Sequence, residues 1–417
     1  MSGVAIGIDV GTSGVRAALV DAAGAPLAWG TAPLPAERRR DPEAWWLAVG
    51  QALDALRAGA DFSGVRAVAV DGTSGTVLPV DAAGAPLGAA SMYNDPADPA
   101  LVARVAAVAP QDSAAHGATS PLAKLLAMQA VPGIARLLHQ ADWIAGRLTG
   151  RFDVSDENNA LKTGYDPVAR RWPDWLGATG ARMQVLPDIV EPGTVVAPIS
   201  REGATRFGLP RETAVVAGTT DGCAAFLATG ASEAGDGVTS LGSTLTLKLL
   251  SDTPVFAPRF GIYSHRLAGR WLPGGASNTG GAALARHFDA ATLARLSAAI
   301  DPAQDSGLDY YPLPAPGERF PIADPGFAPR ETPRPARDED FLHGLLEGIA
   351  RVEALAYARL AELGAPKLRR LRSVGGGARN PAWTALRARI LGVEFSPARS
   401  EEAAVGTASL TLRALGR

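Results

Sequence analysis

The stretch Asp9-Val10-Gly11-Thr12-Ser13-Gly14 joins two apolar runs at residues 4–9 and 15–20. Two apolar runs separated by a short glycine-containing turn predict a β-hairpin. Small residues let the backbone N–H groups of the turn approach an anion, and the two hydroxyls add donors. The carboxylate of Asp9 would repel a phosphate unless Mg²⁺ lay between them. The stretch therefore predicts a metal-nucleotide site, and an ordinary hairpin turn is the alternative.

Two later segments repeat this combination of glycine and polar groups beside a strand. Ser240-Leu241-Gly242-Ser243-Thr244 lies between two strand patterns and predicts a second phosphate-binding hairpin. Gly375-Gly376-Gly377-Ala378-Arg379-Asn380 follows a strand pattern and opens a helix pattern, where a flat ligand or a phosphate can sit on the backbone. The sequence has no G-x-x-x-x-G-K-[ST] motif, so nucleotide binding would not use a P-loop.

The segment Gly218-Thr219-Thr220-Asp221-Gly222 ends an apolar run and places an acidic residue at the start of a helix pattern. An aspartate can accept the proton of a substrate hydroxyl in phosphoryl transfer. A helix N-cap or a first-turn acid would account for the same residue, because acidic residues are common at helix starts. Both interpretations remain open from the residues alone.

Strand and helix patterns occur in both halves of the 417-residue chain, which predicts an α/β fold with two domains. We place the domain boundary near residues 213–230. Residues 99–150 are predicted to be mainly helical, and residues 151–212 to be irregular connections. Residues 71–87 resemble residues 9–27, and we attribute this likeness to shared turn chemistry rather than to a duplicated unit.

Composition argues against several classes of function. Forty basic and 42 acidic residues give a net charge of −2, whereas nucleic-acid-binding proteins usually have a basic excess. Cys223 is the only cysteine, so an intramolecular disulfide is impossible. The sequence shows no signal-peptide pattern and no membrane-spanning run of about 18 residues, so we expect a cytoplasmic protein. The basic run at Arg38, Arg39 and Arg40 is expected to be a solvated loop.

Taken together and in this order, the motifs resemble those of the FGGY family of carbohydrate kinases. The resemblance covers nearly the whole chain and includes ADWIAGRLTG at residues 141–150 and NALKTGYDP at residues 159–167. It implies two ribonuclease-H-like domains around a central cleft, as in actin and hexokinase. Residues 1–228 would form the sugar-binding domain and residues 229–400 the ATP-binding domain. The C-terminal helix at residues 401–417 could pack back on the first domain.

The resemblance also implies a role for each motif, with ATP and Mg²⁺ as cofactors. Asp221 matches the catalytic base of the family. Asp9 matches the acidic residue near the transferred phosphoryl group, where it would hold Mg²⁺ through water. The positions that match phosphate- and ATP-binding residues are Gly11, Thr12, Ser13, Gly242, Ser243, Thr244, Gly376, Gly377 and Asn380.

Two segments resemble most closely those of the compact D-ribulose and D-xylulose kinase-like branch: residues 71–76, DGTSGT, and residues 92–95, MYND. The resemblance implies that Ser74 and Asp95 contact the sugar, together with Asp9 and Asp221. Hydroxyl and carboxylate groups are suitable partners for the many hydroxyls of a ketopentose.

The alternatives are that Ser74 only shapes its turn and that Asp95 only caps the loop before Pro96. Many relatives have an arginine shortly after the position of Asp95, where this chain has Pro96-Ala97-Asp98. D-ribulose is our first expectation for the substrate and D-xylulose the second, with phosphorylation at a terminal hydroxyl.

Other functions remain to be distinguished from a ketopentose kinase. One is a nucleotide-binding actin-like protein without sugar kinase activity, and another is a glycerol, aldose or other polyol kinase. Asp9 and Asp221 together favour an active enzyme. We expect a small-molecule sugar as partner, no nucleic acid or membrane, and either a monomer or a homodimer.

Overall fold

Each half of the chain builds a mixed β-sheet with associated helices, which confirms the α/β fold predicted from the alternating patterns. A computed structural model describes residues 4–416. Their contacts define two units: unit 1 comprises residues 4–228, 265–269 and 402–416, and unit 2 comprises residues 229–264 and 270–401.

The strands are β1 (Ala5–Val10), β2 (Gly14–Val20), β3 (Pro26–Pro33), β4 (Ala67–Gly72), β5 (Val77–Val80), β6 (Arg136–His139), β7 (Val154–Asp156), β8 (Asp188–Val190), β9 (Val195–Pro198), β10 (Ala214–Thr220), β11 (Asp236–Leu241), β12 (Leu245–Leu249), β13 (Ser264–Leu267), β14 (Arg270–Ser277), β15 (Arg370–Val374) and β16 (Glu394–Phe395). The α-helices are α1 (Pro42–Ala58), α2 (Pro99–Val108), α3 (Pro121–Met128), α4 (Gln140–Thr149), α5 (Glu157–Ala160), α6 (Trp175–Ala178), α7 (Arg201–Phe207), α8 (Asp221–Ala228), α9 (Gly281–Ala285), α10 (Ala290–Ser297), α11 (Asp338–Glu362), α12 (Pro381–Leu391) and α13 (Ala403–Ala414).

The main sheets of the two units follow the same plan. In unit 1 the strand order is β3-β2-β1-β4-β10-β9, in which β1, β2 and β3 are antiparallel and β4 and β10 run parallel to β1. In unit 2 the order β14-β12-β11-β15-β16 repeats three antiparallel strands followed by two parallel ones. All residues of β1 and β4 are buried, as expected for central strands that are covered on both faces.

Helix α1 shows how local sequence signals and core packing agree in unit 1. The carboxylate of Asp41 accepts a hydrogen bond from the N–H of Glu43 at 3.0 Å, and Pro42 occupies the first helical position. Trp45 on this helix is fully buried and packs edge-to-face against Trp143 of α4, with ring centroids 6.2 Å apart. Burying a large apolar side chain typically contributes about 1.5–3 kcal/mol, so this contact helps to fix both helices on the sheet.

Helix α13 returns from the end of the chain to pack on β1 and α8 within unit 1. An added Cβ atom on Gly7 would lie 1.9 Å from the carbonyl oxygen of Ala404. An added Cβ atom on Gly406 would lie 1.8 Å from the carbonyl oxygen of Ala224. The backbones are therefore in direct contact, and a side chain at either glycine would push the helix away.

Several short elements differ from the sequence expectation. The strand β6 interrupts residues 99–150, which we predicted to be mainly helical, and β7, β8, β9, α5, α6 and α7 lie within residues 151–212, which we predicted to be irregular. Runs of three to seven residues are too short for hydrophobic periodicity to identify them. Strand β5 pairs with β6 and not with β4, so residues 71–87 do not repeat the first hairpin. None of the helices in residues 4–416 is long and apolar enough to cross a membrane.

Candidate active site

Three neighbouring parallel strands of unit 1 each bring a polar residue to the same edge of the sheet. Asp9 near the end of β1 lies opposite Asp71 of β4, and Asp71 lies opposite Thr219 of β10. Asp221 lies two residues after Thr219 and is the first residue of α8. Because neighbouring strands are about 4.8 Å apart, carboxyl groups that are distant in the sequence meet at this edge.

An irregularity at Gly218 directs the end of β10 toward this edge. The register between β10 and β4 shifts between Val216 and Thr219. An added Cβ atom on Gly218 would lie 1.7 Å from the carbonyl oxygen of Val70, so only glycine fits there. Beyond the shift, the Thr219 hydroxyl accepts a hydrogen bond from the side-chain amide of Asn158 at 2.9 Å. The residues leading to Asp221 are therefore fixed by both backbone and side-chain contacts.

The carboxyl groups of Asp9 and Asp71 are buried beside each other. Burial raises the pKa of Asp9 to about 6, a hydrogen bond with Asp71 acts against this shift, and the charge of Asp221 adds to it. Burial and the charge of Asp9 raise the pKa of Asp71 well above its ordinary value, although the Thr407 hydroxyl donates a hydrogen bond to its Oδ2. The positive charge of Arg16 offsets little of the pKa shift of Asp9, since its Nη1 lies 3.9 Å from Asp9 and its side chain is 55% exposed. Carboxyl groups in such a setting are typical of functional sites.

Asp221 is a first-turn residue of α8. Its Oδ1 accepts a hydrogen bond from the N–H of Gly222 at 2.7 Å, and the residue is partly exposed. The positive end of the helix dipole favours a negative charge at this position. Asp221 thus combines access to solvent with a fixed position at the start of a helix.

The turn between β1 and β2 places two hydroxyl-bearing residues directly after Asp9. The N–H of Gly11 donates to the carbonyl oxygen of Gly14 at 3.0 Å and closes the turn. Ser13 is exposed and Thr12 is partly exposed, so both can meet a ligand.

In unit 2, the turn at residues 242–244 lies next to the glycine segment that follows β15. Ser240 is opposite Val374 in the parallel pair of β11 and β15. An added Cβ atom on Gly375 would lie 3.0 Å from the carbonyl oxygen of Leu241. The two segments of this unit that the sequence predicted to bind nucleotide therefore share one edge of the second sheet.

A cavity of about 540 Å³ opens beside this glycine segment, with a largely apolar lining that includes Leu293, Ala298, Ile300, Pro302, Gly376 and Asn380. Its volume lies in the range of small-ligand pockets. An added Cβ atom on Gly376 would meet nothing within 4 Å, so the backbone faces open space there. The cavity can accept a nucleoside next to an accessible stretch of backbone.

Asn380 and Gly377 shape the wall of this cavity through internal contacts. The Oδ1 of Asn380 accepts a hydrogen bond from the N–H of Trp383 at 3.1 Å and caps α12, while its Nδ2 donates to Ser297 at 2.8 Å. An added Cβ atom on Gly377 would lie 2.5 Å from the ring of Trp383, which is buried in the core. Both residues therefore have structural partners in addition to any contact with a ligand.

The two segments predicted to contact the sugar form turns in unit 1. The Thr73 hydroxyl lies 2.6 Å from the Thr76 hydroxyl and donates to the side-chain oxygen of Gln140 at 2.9 Å, which fixes the first turn. Ser74 in this turn remains partly exposed. In the second turn, the Oδ2 of Asp95 accepts a hydrogen bond from a backbone N–H at 2.8 Å.

Arg40 pairs with Asp95 through both of its terminal nitrogens, although 55 residues separate them. Burial alone would raise the pKa of Asp95, but the hydrogen bonds from Arg40 and from the N–H of Met92 lower it below its ordinary value. Arg40 lies exposed in the loop before α1, as expected from the sequence, and it pairs with Asp95 from there. The sequence analysis missed its role because a pair between distant segments leaves no local signal, although the lack of an arginine after Asp95 pointed to an altered arrangement.

Within residues 4–416, no group of three or more His, Cys, Asp or Glu side chains could hold a metal ion alone. A divalent ion near Asp9 would therefore need further ligands from water or from a substrate. Mg²⁺ usually binds in this way, with one or two carboxylates, several waters and substrate phosphates. The buried carboxyl groups of Asp9 and Asp71 are compatible with such an ion.

Comparison with known proteins shows the relationship of this chain. The model of the C-terminal domain of the FGGY family of carbohydrate kinases matches residues 231–415. The chain is 30% identical to the xylulose kinase of Streptomyces coelicolor, over 97% of this chain and 86% of that protein. It is 28% identical to the xylulose kinase of Escherichia coli, over 94% of this chain and 85% of that protein.

The fold agrees with this relationship. A crystal structure described as a "xyloylose kinase" from Brucella ovis superposes with a TM-score of 0.86 at 25% identity, covering 99% of this chain and 90% of that one. Structural neighbours of the chain are sugar kinases with the actin/hexokinase-like fold. The chain belongs to the FGGY family of carbohydrate kinases, as the resemblance of its motifs predicted.

Proposed function

We propose that this carbohydrate kinase transfers the terminal phosphoryl group of ATP to a terminal hydroxyl of a ketopentose, with Asp221 as general base. The observation that supports this assignment is the convergence of Asp9, Asp71 and Asp221 at one edge of the first sheet. Phosphoryl transfer depends mainly on positioning and charge stabilisation, with an aspartate that accepts the hydroxyl proton. Asp221 is partly exposed at the start of α8, so its carboxyl group is accessible to a substrate.

The proposed nucleotide site uses the segments around the cavity of unit 2. The nucleoside would occupy the cavity next to Gly376, whose walls Gly377 and Asn380 shape. Backbone N–H and hydroxyl groups at Gly242, Ser243 and Thr244 would bind phosphate oxygens. Gly11, Thr12 and Ser13 would bind phosphate in the same manner.

Asp9 would hold Mg²⁺ through water. When bound, this ion neutralises the negative charge that the phosphates and the carboxylate bring together. The buried position of Asp9 limits hydration of its carboxylate, and Asp71 fixes its orientation from the neighbouring strand. Asp221 takes the proton from the sugar hydroxyl, so that the developing alkoxide is never fully charged.

The proposed sugar site includes Ser74 and Asp95, besides Asp9 and Asp221. The Ser74 hydroxyl is partly exposed on a fixed turn, and Arg40 orients the Asp95 carboxylate. D-ribulose remains the first choice of substrate. D-xylulose is the second candidate, and the names of the related xylulose kinases favour it.

The identity of the substrate can be tested with Mg-ATP and a panel of D-ribulose, D-xylulose, other ketoses, aldoses and glycerol. We expect the highest kcat/KM with D-ribulose. A clear preference for D-xylulose would establish the second candidate in its place. A preference for glycerol would contradict the assignment of a ketopentose.

Replacement of the proposed base tests the mechanism. Asp221→Ala is expected to lower kcat by about 10²–10⁴-fold, because proton transfer to a positioned base contributes a factor of this size. Binding of ATP, measured by calorimetry, should persist. Asp112→Ala changes an exposed aspartate of the same unit and serves as the control. Turnover of Asp221→Ala close to that of the unsubstituted enzyme would show that another group accepts the proton.

A further inference from the structure

Helix α3 buries a lysine in an otherwise apolar segment. Lys124 is 3% exposed and lies between Ala123 and Leu125, which are completely buried. A buried ammonium group is costly unless it is hydrogen-bonded. The Nζ of Lys124 donates to the carbonyl oxygen of Met92 at 2.6 Å and lies 3.4 Å from that of Gly75. The lysine therefore has two specific backbone partners and does not serve only to fill space.

These two carbonyl groups belong to the two turns of the proposed sugar site. Gly75 directly follows Ser74 in the first turn. In the second turn, the carbonyl oxygen of Met92 also accepts a hydrogen bond from the N–H of Asp95 at 3.0 Å. The Met92 N–H donates to the Asp95 carboxylate at 2.8 Å. Lys124 thus binds the carbonyl group of Met92, the residue whose backbone also fixes Asp95.

The charged groups around Lys124 come from several segments. Burial lowers the pKa of Lys124 to about 8; the negative charge of Asp95 acts against this shift, and the positive charges of Lys162 and Arg40 add to it. The buried ring of His139 is close enough for its own pKa to be lowered by Lys124. A methionine would fill the same space without this electrostatic cost, so the charge and the directed N–H groups are the properties that distinguish lysine here.

We propose that Lys124 is a positioning residue for the sugar: its ammonium group ties the turn of Ser74 to the turn of Asp95 and sets the distance between these two side chains. This inference rests on the sugar site of the proposed function. Lys124 acts through the two turns and needs no contact with the reacting atoms. Loss of the tie should therefore weaken sugar binding more than it slows the chemical step.

Steady-state kinetics of Lys124→Met and Lys124→Arg test this role, with Lys367→Met as the control at an exposed lysine of unit 2. Lys124→Met is expected to raise KM for the sugar by about 10-fold to 100-fold, which corresponds to the loss of a charge-assisted hydrogen bond. Its kcat and its KM for Mg-ATP should change by about twofold or less. Lys124→Arg should recover most of the loss, because arginine keeps the charge and the donors. An unchanged sugar KM in Lys124→Met would overturn the inference.

Hydrogen exchange provides a readout that does not depend on the identity of the sugar. In Lys124→Met the amides of residues 73–76 and 91–95 should exchange faster than in the unsubstituted protein, while those of unit 2 should not change. If no sugar is phosphorylated but exchange accelerates in these turns, the proposed function fails and the tie between the turns stands. Unchanged exchange would overturn the tie itself.

If Lys124→Met does not fold, the pH dependence of sugar KM in the unsubstituted enzyme tests the same role. Sugar KM should rise as the pH increases through about 8, where Lys124 loses its proton, and KM for Mg-ATP should not. The rise should be absent in Lys124→Arg, because arginine does not titrate in this range, whereas Asp95, Lys162, Arg40 and His139 are the same in both proteins. A sugar KM that stays constant between pH 7 and 9.5 would contradict the proposal.

Discussion

The two units differ in how they bury ionisable groups. In unit 2, the buried carboxylates of Glu353 and Asp236 have arginine partners. Glu353 accepts hydrogen bonds from Arg387 at 2.6 and 2.7 Å with both side chains fully buried. Asp236 lies 3.1 Å from Arg372 and 3.3 Å from Arg370.

In unit 1, the buried groups near the proposed site lack such close pairing. Asp9 and Asp71 face each other, and the pKa of each is raised, mainly by burial. His139 shows the corresponding effect for a base: burial, followed by the charges of Lys124 and Lys162, lowers its pKa to about 3. By contrast, burial alone would raise the pKa of Asp236, but backbone N–H groups and its arginine partners lower it.

This difference distinguishes charged groups that stabilise the fold from charged groups that are available to a ligand. A paired charge in unit 2 is already compensated, so it fixes helices and strands and is not available to a ligand. The carboxyl groups of Asp9 and Asp71 are desolvated, so a nearby cation or a bound proton would stabilise them. Under the proposed function, the second sheet would support the nucleotide, and the edge of the first sheet would carry out proton and phosphoryl transfer.

The largest expected effect comes from breaking a pair in unit 2. Arg387→Met should lower the free energy of unfolding by about 3–5 kcal/mol, because it leaves the buried charge of Glu353 without an opposite charge. Urea denaturation followed by circular dichroism measures this loss. Arg369→Met changes an exposed arginine of the same unit and should have an effect within about 0.5 kcal/mol. A loss below about 1 kcal/mol in Arg387→Met would mean that the pair does not support the framework.

Replacing His139 is expected to have an intermediate effect, which is on the pH dependence of stability. The folded state keeps this residue neutral down to about pH 3, whereas the unfolded chain takes up a proton near pH 6.5. The contribution of His139 to stability is therefore complete above pH 6.5 and falls by about 1.4 kcal/mol for each pH unit below it. His139→Gln should lose stability less steeply than the unsubstituted protein between pH 6.5 and 4.5 in urea titrations. Parallel pH profiles for the two proteins would show that His139 is charged when folded.

The smallest effect is expected at Asp71. Because its pKa is raised on folding, its contribution to stability is present below about pH 4 and is lost as the pH rises. Asparagine at position 71 does not ionise, so Asp71→Asn avoids this loss of stability at high pH. Its side-chain oxygen can still accept the hydrogen bond from Thr407. We expect it to be at least as stable as the unsubstituted protein at pH 8 in thermal unfolding, with a difference that grows with pH. A destabilisation as large as that of Arg387→Met would contradict the contrast between the units.

Features that depend on neighbouring residues could be predicted from the sequence. The glycine-hydroxyl turn after Asp9, the cap at Asp41 and the helix that begins at Asp221 each follow from local patterns, because backbone preferences and capping act within a few residues. The order of these motifs was also sufficient to indicate the family. The short strand β6 was missed, since four residues do not define a period.

Contacts between distant groups could not be predicted in this way and are known from the folded structure. It placed Asp71 opposite Asp9, paired Arg40 with Asp95 and directed Lys124 to the carbonyl groups of two separate turns. Such contacts arise from strand order and helix packing, which no short stretch of sequence encodes. The physical reason is that burial and neighbouring charges set the pKa and the orientation of a side chain, and both are properties of the folded surroundings.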